Sequence, residues 1–103
     1  MQGEYVYILV RRDPPSAYQA VQAAHAAISS CQRGIIGNIR HPILVVATVE
    51  NEDELLRSSV SLTNAGIQHS VFFEDDVKAY TALATGCLSG ETRKAFRKYP
   101  LLK

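Results

Sequence analysis

Three groups of side chains in this 103-residue chain are of types that do chemistry. Arg11 and Arg12 close an apolar run, and guanidinium groups pair with phosphates and carboxylates. Tyr18, Gln22, His25 and Ser29 recur at three- to four-residue spacing, which on a helix places them along one edge. Glu74-Asp75-Asp76 forms an acidic triplet, although three adjacent acids cannot all turn to one ion, so neither a metal site nor a cofactor is expected. Each group also has an ordinary structural reading. His25 alone is better read as a partly buried helix histidine satisfied by a neighbour, and the triplet as a solvated hairpin turn. Arg11 and Arg12 alternate across a strand, so one of them faces a cleft and the other faces solvent.

The elements that must position these groups follow from the pattern. Tyr5–Val10 is six residues of extended-chain preference, the signature of a central strand buried on both faces. Asp13-Pro14-Pro15-Ser16 is a turn into a helix with Ser16 as N-cap, and Tyr18 to Gln32 is that helix. Its Val21, Ala24, Ile28 and Cys31 form an apolar stripe expected to pack on the sheet. A connection from Arg33 to Pro42, with Gly34 and Gly37, leads to a second buried strand, Ile43–Val49, parallel to the first. Asn51 with Glu54 is close to a capping box and opens a second helix, in which Leu55, Leu56, Val60, Leu62 and Thr63 are expected to face the core. Gly66 ends it. Ile67–Phe73 is a third strand completing a second βαβ unit, and Tyr80–Thr85 a fourth, antiparallel to the third across a short loop. A last short helix runs from Ser89-Gly90-Glu91 to Phe96. The expectation is a single α/β domain over residues 1–103, of three-layer type, with a mixed four-stranded sheet in the order β-α-β-α-β-β-α.

Composition narrows the function classes. A net charge of +1 argues against a chain whose main task is coating nucleic acid, without excluding a local basic patch. No run is long enough to span a bilayer and no signal segment opens the chain, so a cytoplasmic location and no membrane partner are expected. Cys31 and Cys87 lack metal-type spacing and read as structural thiols. The apolar tail (Phe96, Tyr99 to Leu102) would be awkward on a monomer, which suggests a homo-oligomer, a dimer or tetramer.

The order of elements, Val10-Arg11-Arg12-Asp13 and the run Ala20-Val21-Gln22-Ala23-Ala24-His25-Ala26-Ala27 resemble the type 2 peptidyl-tRNA hydrolases. The resemblance covers nearly the whole chain and suggests a short, diverged, phage-like member. It implies that fold, with Gln22 and Glu74 as counterparts of family site residues. Pro14-Pro15 stand in place of a glycine- and lysine-rich loop, Tyr18 takes the position of its last lysine, and no threonine follows the third strand before Thr81.

Two functions follow. In the first the chain is a non-catalytic binder of a nucleotide-type ligand, as in a phage sponge that evades immunity by sequestering a cyclic oligonucleotide signal (anti-CBASS type). Its ligand-binding residues are Arg11, Arg12, Ser16, Tyr18, Gln22, His25, Glu74, Tyr80 and Thr81, with Tyr18 and Tyr80 stacking on a base. In the second it cleaves the ester of peptidyl- or aminoacyl-tRNA at the tRNA 3' end through Gln22, His25 and Glu74.

Overall fold

A computed structural model describes residues 4–36 and 41–103. Gly37 and Arg40, expected in the first connection, lie outside the described residues. The described residues form an open, mixed four-stranded sheet with three helical segments, and the strands stand in the order β2-β1-β4-β3. β1 (Tyr5–Arg11) pairs in parallel with β2 (Ile43–Val49), Tyr5 opposite Ile43 and Arg11 opposite Val49. β4 (Ala79–Thr85) runs antiparallel between β1 and β3 (His69–Glu74). β1 is central and buried over Val6–Val10, as its unbroken apolar run requires.

β2 differs from the expectation. It is an edge strand whose first residues, Ile43 and Leu44, are exposed. β3 does not join β2 either; it crosses to the far edge. The four-residue link Asp75–Lys78 forces β3 and β4 into a hairpin, and β4 then occupies the free side of β1.

Helices cover both faces. α1 (Ser16–Gln32) lies over β1, β4 and β3 and shares a core with Val6, Ile8, Val10, Ala82 and Ala84. α2 (Glu52–Asn64) and the 3₁₀ segment Gly90–Phe96 cover the other face around Leu9, Leu55, Leu62, Leu83 and Phe96. Burying Leu9, Leu55 and Leu83 completely contributes about 1.5–3 kcal/mol for each. Among the described residues no helix is long and apolar enough to cross a membrane.

α1 is rotated from its expected setting. Its buried residues are Gln19, Gln22, Ala23, Ala26 and Ser30, whereas Val21, Ala24, Ile28 and Cys31 point outward. Two physical reasons account for this. The small Ala23 and Ala26 let the helix sit close to Ala82 and Ala84. Each buried polar side chain also finds a partner: Ser30 donates to the Thr85 carbonyl (3.2 Å), and Gln19 donates to the carbonyls of Arg12 (3.2 Å) and Pro14 (2.7 Å). Ser16 is the first helical residue, not the cap. Pro15 holds that place, and among the described residues no side chain caps the helix.

α2 starts as expected. Asn51 accepts from the Glu54 N–H at 3.0 Å, and Glu54 reaches back to the Glu50 N–H. It ends at Gly66 (φ 76°), where Ile67 N–H bonds the Leu62 carbonyl and Gly66 N–H that of Thr63. Of its expected core face only Leu55 and Leu62 are buried, joined by Ser58; Leu56, Val60 and Thr63 face solvent.

The tail is covered only in part by its own chain, since Pro100 and Leu101 stay exposed, Leu101 by 57%. Phe96 and Tyr99 are buried, and Tyr99 donates to Ser58 at 2.8 Å. Pro100 and Leu102 then bond Thr48 and Val46, so the tail lies against the outer edge of β2. Arg93 is held over the Tyr5 ring (3.5 Å to its centre) and on the Tyr7 hydroxyl. Of the two thiols, Cys31 is exposed and Cys87 partly buried; both are free.

Candidate functional site

The polar edge of α1 meets β3 residue by residue. Ser29 bonds Ser70 at 3.0 Å, His25 stacks on Phe72 (centroids 4.9 Å, planes 9° apart), and Gln22 donates to Glu74 at 2.9 Å. A helix repeat of three to four residues here matches the two-residue repeat of one strand face. Tyr18 continues the row beyond the strand end, within electrostatic reach of Glu74, Asp76 and Arg11.

A β-bulge brings in the next group. Phe72 pairs with Ala82 and Phe73 with Tyr80, so Thr81 is an extra residue in β4. By simple alternation Thr81 would face α2, alongside Leu83. The bulge turns it toward α1, where it is buried and donates to Gln22 Oε1 at 2.6 Å. The freed backbone groups of Tyr80 are also satisfied: its N–H bonds Glu52 (2.9 Å) and its carbonyl accepts from Arg11 (3.1 Å). Gln22 is therefore used at both ends, as acceptor from Thr81 and donor to Glu74.

Glu74 is the fixed charge of this corner. One oxygen accepts from Gln22 and the other from the Asp76 N–H. The Gln22 bond first, then the Asp76 bond, lower its pKa below the ordinary carboxylate value, so it is ionised at neutral pH. Tyr18 moves the other way. Desolvation, then the nearby Glu74 and Asp76 charges, raise its pKa and keep the phenol protonated. Its hydroxyl is buried and has no hydrogen-bond partner among the described residues.

Not every expected residue reaches this corner. Tyr18, Gln22, His25, Glu74 and Thr81 converge. Arg11 stands at the rim in a bidentate pair with Asp13 (2.9 and 2.7 Å). Arg12 leaves for the β2 edge, where it pairs with Glu50 and lines a separate hollow of about 330 Å³ with Gln19, Thr48 and the tail. Ser16 contributes only its backbone at the helix start. Tyr80 sits on the opposite face of the sheet, edge-on to Phe73 (5.0 Å), so it and Tyr18 cannot hold one base between them. The bulge sets this division, since it puts Thr81 on one face and Tyr80 on the other.

Three contributors escaped the sequence reading: Phe72 beneath His25, the Asp76 N–H that anchors Glu74, and Glu52 on the Tyr80 N–H. The alternation Ser70, Phe72, Glu74 was the available signal for the first. Among the described residues no three His, Cys, Asp or Glu side chains are placed to hold a metal ion.

No family model matches the chain, and no curated protein matches it. Among solved structures it is similar to a protein of unknown function, Atu0240, from Agrobacterium tumefaciens strain C58. The TM-score is 0.65 at 14% identity, over 100% of both chains. A likeness at that identity bears on the fold alone.

Proposed function

We propose that the chain is a non-catalytic nucleotide-binding protein on a type 2 peptidyl-tRNA hydrolase-like fold, with a cyclic oligonucleotide as the ligand class. The observation that carries this reading is the pairing of the ionised, doubly anchored Glu74 with the buried, unpartnered Tyr18 hydroxyl. A fixed carboxylate accepts from the amino and imino edge of a purine, and a phenol can donate beside it. The exposed imidazole of His25, already backed by Phe72, offers a flat surface for stacking. α1 begins one residue after a proline, with no capping side chain and no acid in its first turn, so its first N–H groups are open to phosphate.

The same geometry disfavours hydrolysis. The Gln22 and Asp76 hydrogen bonds that lower the Glu74 pKa also weaken it as a general base. The Thr81 proton is committed to Gln22, and both ends of Gln22 are occupied. No lysine is present among residues 1–30 to stabilise an oxyanion.

A thermal-shift panel of mono-, di- and cyclic nucleotides tests the reading, with Glu74→Gln beside the parent chain. A ligand at 100 times its Kd adds roughly 2.7 kcal/mol of stability, and Glu74→Gln should reduce that gain. Peptidyl-tRNA should remain intact. No shift with any nucleotide, or multiple-turnover release of tRNA that Glu74→Gln abolishes, overturns the proposal; the second result would establish the hydrolase instead.

A further inference from the structure

On the sheet face away from the Glu74 corner, α2 and β3 bring a serine hydroxyl against an imidazole. Ser59 Oγ lies 2.7 Å from His69 Nε2, and His69 Nδ1 lies 2.9 Å from the Ile67 carbonyl oxygen. A carbonyl only accepts, so Nδ1 carries the ring hydrogen of the neutral imidazole. Nε2 is then a bare acceptor, and the Ser59 hydroxyl donates to it. This is the polarity of a nucleophile held by its base, with the Ile67 carbonyl orienting the ring.

The pair departs from what a helix does by default. A helical serine or threonine commonly bonds the carbonyl four residues back. Thr63 does so, donating to the Ser59 carbonyl at 3.0 Å. The Ser59 hydroxyl instead crosses to the strand. Both residues of the pair are half-buried, so it is held in place yet reached by solvent. Beside it lies an open hollow of about 320 Å³, bounded by Thr63, Gly66, Ile67, Gln68 and His69. Thr63 stands one turn beyond Ser59 on the same side of α2, which sets the Ser59 hydroxyl at the edge of this space. The volume is at the small end of ligand sites. The lining holds no Asp, Glu, Lys or Arg, which favours an uncharged occupant, and exposed Gln68 brings an amide donor to the wall.

We propose that Ser59 is an acyl-acceptor site, with His69 as its base and a small, uncharged, activated ester as the donor. Ser59 Oγ attacks the ester carbonyl carbon while its proton passes to Nε2. The tetrahedral adduct then collapses: the bond from that carbon to the leaving oxygen breaks, and Nε2 returns the proton to the leaving oxygen. The products are acylated Ser59 and a free alcohol or phenol, with the imidazole neutral again. The chain is the acceptor in this step, not a catalyst. The site is therefore independent of the nucleotide reading, which concerns the other face of the sheet.

The probe is p-nitrophenyl acetate. After incubation the full chain is quenched in acid and mapped by peptide mass spectrometry, counting acetyl groups on serine. Acetyl should appear on Ser59 and not on Ser61, an exposed serine of the same helix. Ser59→Ala should remove that signal. His69→Gln cannot take up the proton and should slow Ser59 acetylation by about 100-fold or more, as loss of a general base does. The comparison of Ser59 with Ser61 is made within the parent chain, so it decides the matter even where His69→Gln fails to fold. No acetyl on Ser59, equal labelling of Ser59 and Ser61, or an unchanged rate in folded His69→Gln overturns the proposal.

Discussion

The bond from Thr81 to Gln22 exists only because the β4 bulge turns a side chain from one sheet face to the other, and its energy can be isolated. Thr81→Val is close to isosteric and leaves Gln22 Oε1 without its donor at a position 1% exposed. An unsatisfied buried acceptor costs about 1–3 kcal/mol. Gln22→Leu likewise strips the Thr81 hydroxyl of its acceptor and also removes the bond to Glu74. In the double variant neither orphan remains, and the Glu74 contribution cancels because it is lost equally with and without Thr81. The coupling should therefore be at least ~1 kcal/mol, the double variant being more stable than the two single losses predict. Urea unfolding of the four proteins measures it. Each single variant should also lower Tm by several degrees, since about 1 kcal/mol corresponds to roughly 4–8 °C in a domain of this size. Additivity to within ~0.5 kcal/mol would refute the inference that the bulge serves this bond.

Other consequences are equally direct. The Glu74 carboxyl should titrate below its ordinary value of 4.5 by NMR and move up in Gln22→Leu. Because its folded pKa is depressed, its contribution is complete above that ordinary value and fades as pH falls through the lowered one, so the deficit of Gln22→Leu should shrink in acid. Tyr99→Ala should cost about 3–5 kcal/mol, as expected for an aromatic of the core, and equally at every protein concentration. Gly86→Ala should destabilise by about 1–3 kcal/mol, because its Cβ would lie 2.7 Å from the Ile35 carbonyl oxygen, which is backbone and cannot swing aside. Asn51→Ala should cost about 1 kcal/mol through loss of the α2 cap.

Much of the architecture was legible in the residues themselves. Tyr5–Val10 announced a central strand, Asn51, Glu54 and Gly66 marked the ends of α2, and the short link Asp75–Lys78 implied the hairpin. The row Tyr18, Gln22, His25, Ser29 was visible as well, and it is the part of the candidate site that assembled. The reading failed where apolarity was taken as a guide to direction. Val21 and Ile28 looked like core, yet Gln22 and Ser30 went inside because the sheet offered them partners. Pairings between residues some 50 to 60 positions apart decide that, and no helical period reports them. The bulge at Thr81 and the departure of Arg12 toward Glu50 lie beyond local pattern for the same reason.

The place of β4 has a consequence for how the chain comes together. β1 is made well before its antiparallel neighbour β4, Ile8 lying opposite Ala84. Closing that pair spans most of the chain, so its contacts form slowly compared with the local β3–β4 hairpin. During synthesis the first strand therefore emerges with one flank unmet, and the fastest route to the native sheet has the late hairpin add to the earlier β1–α1–β2 unit as a preformed block.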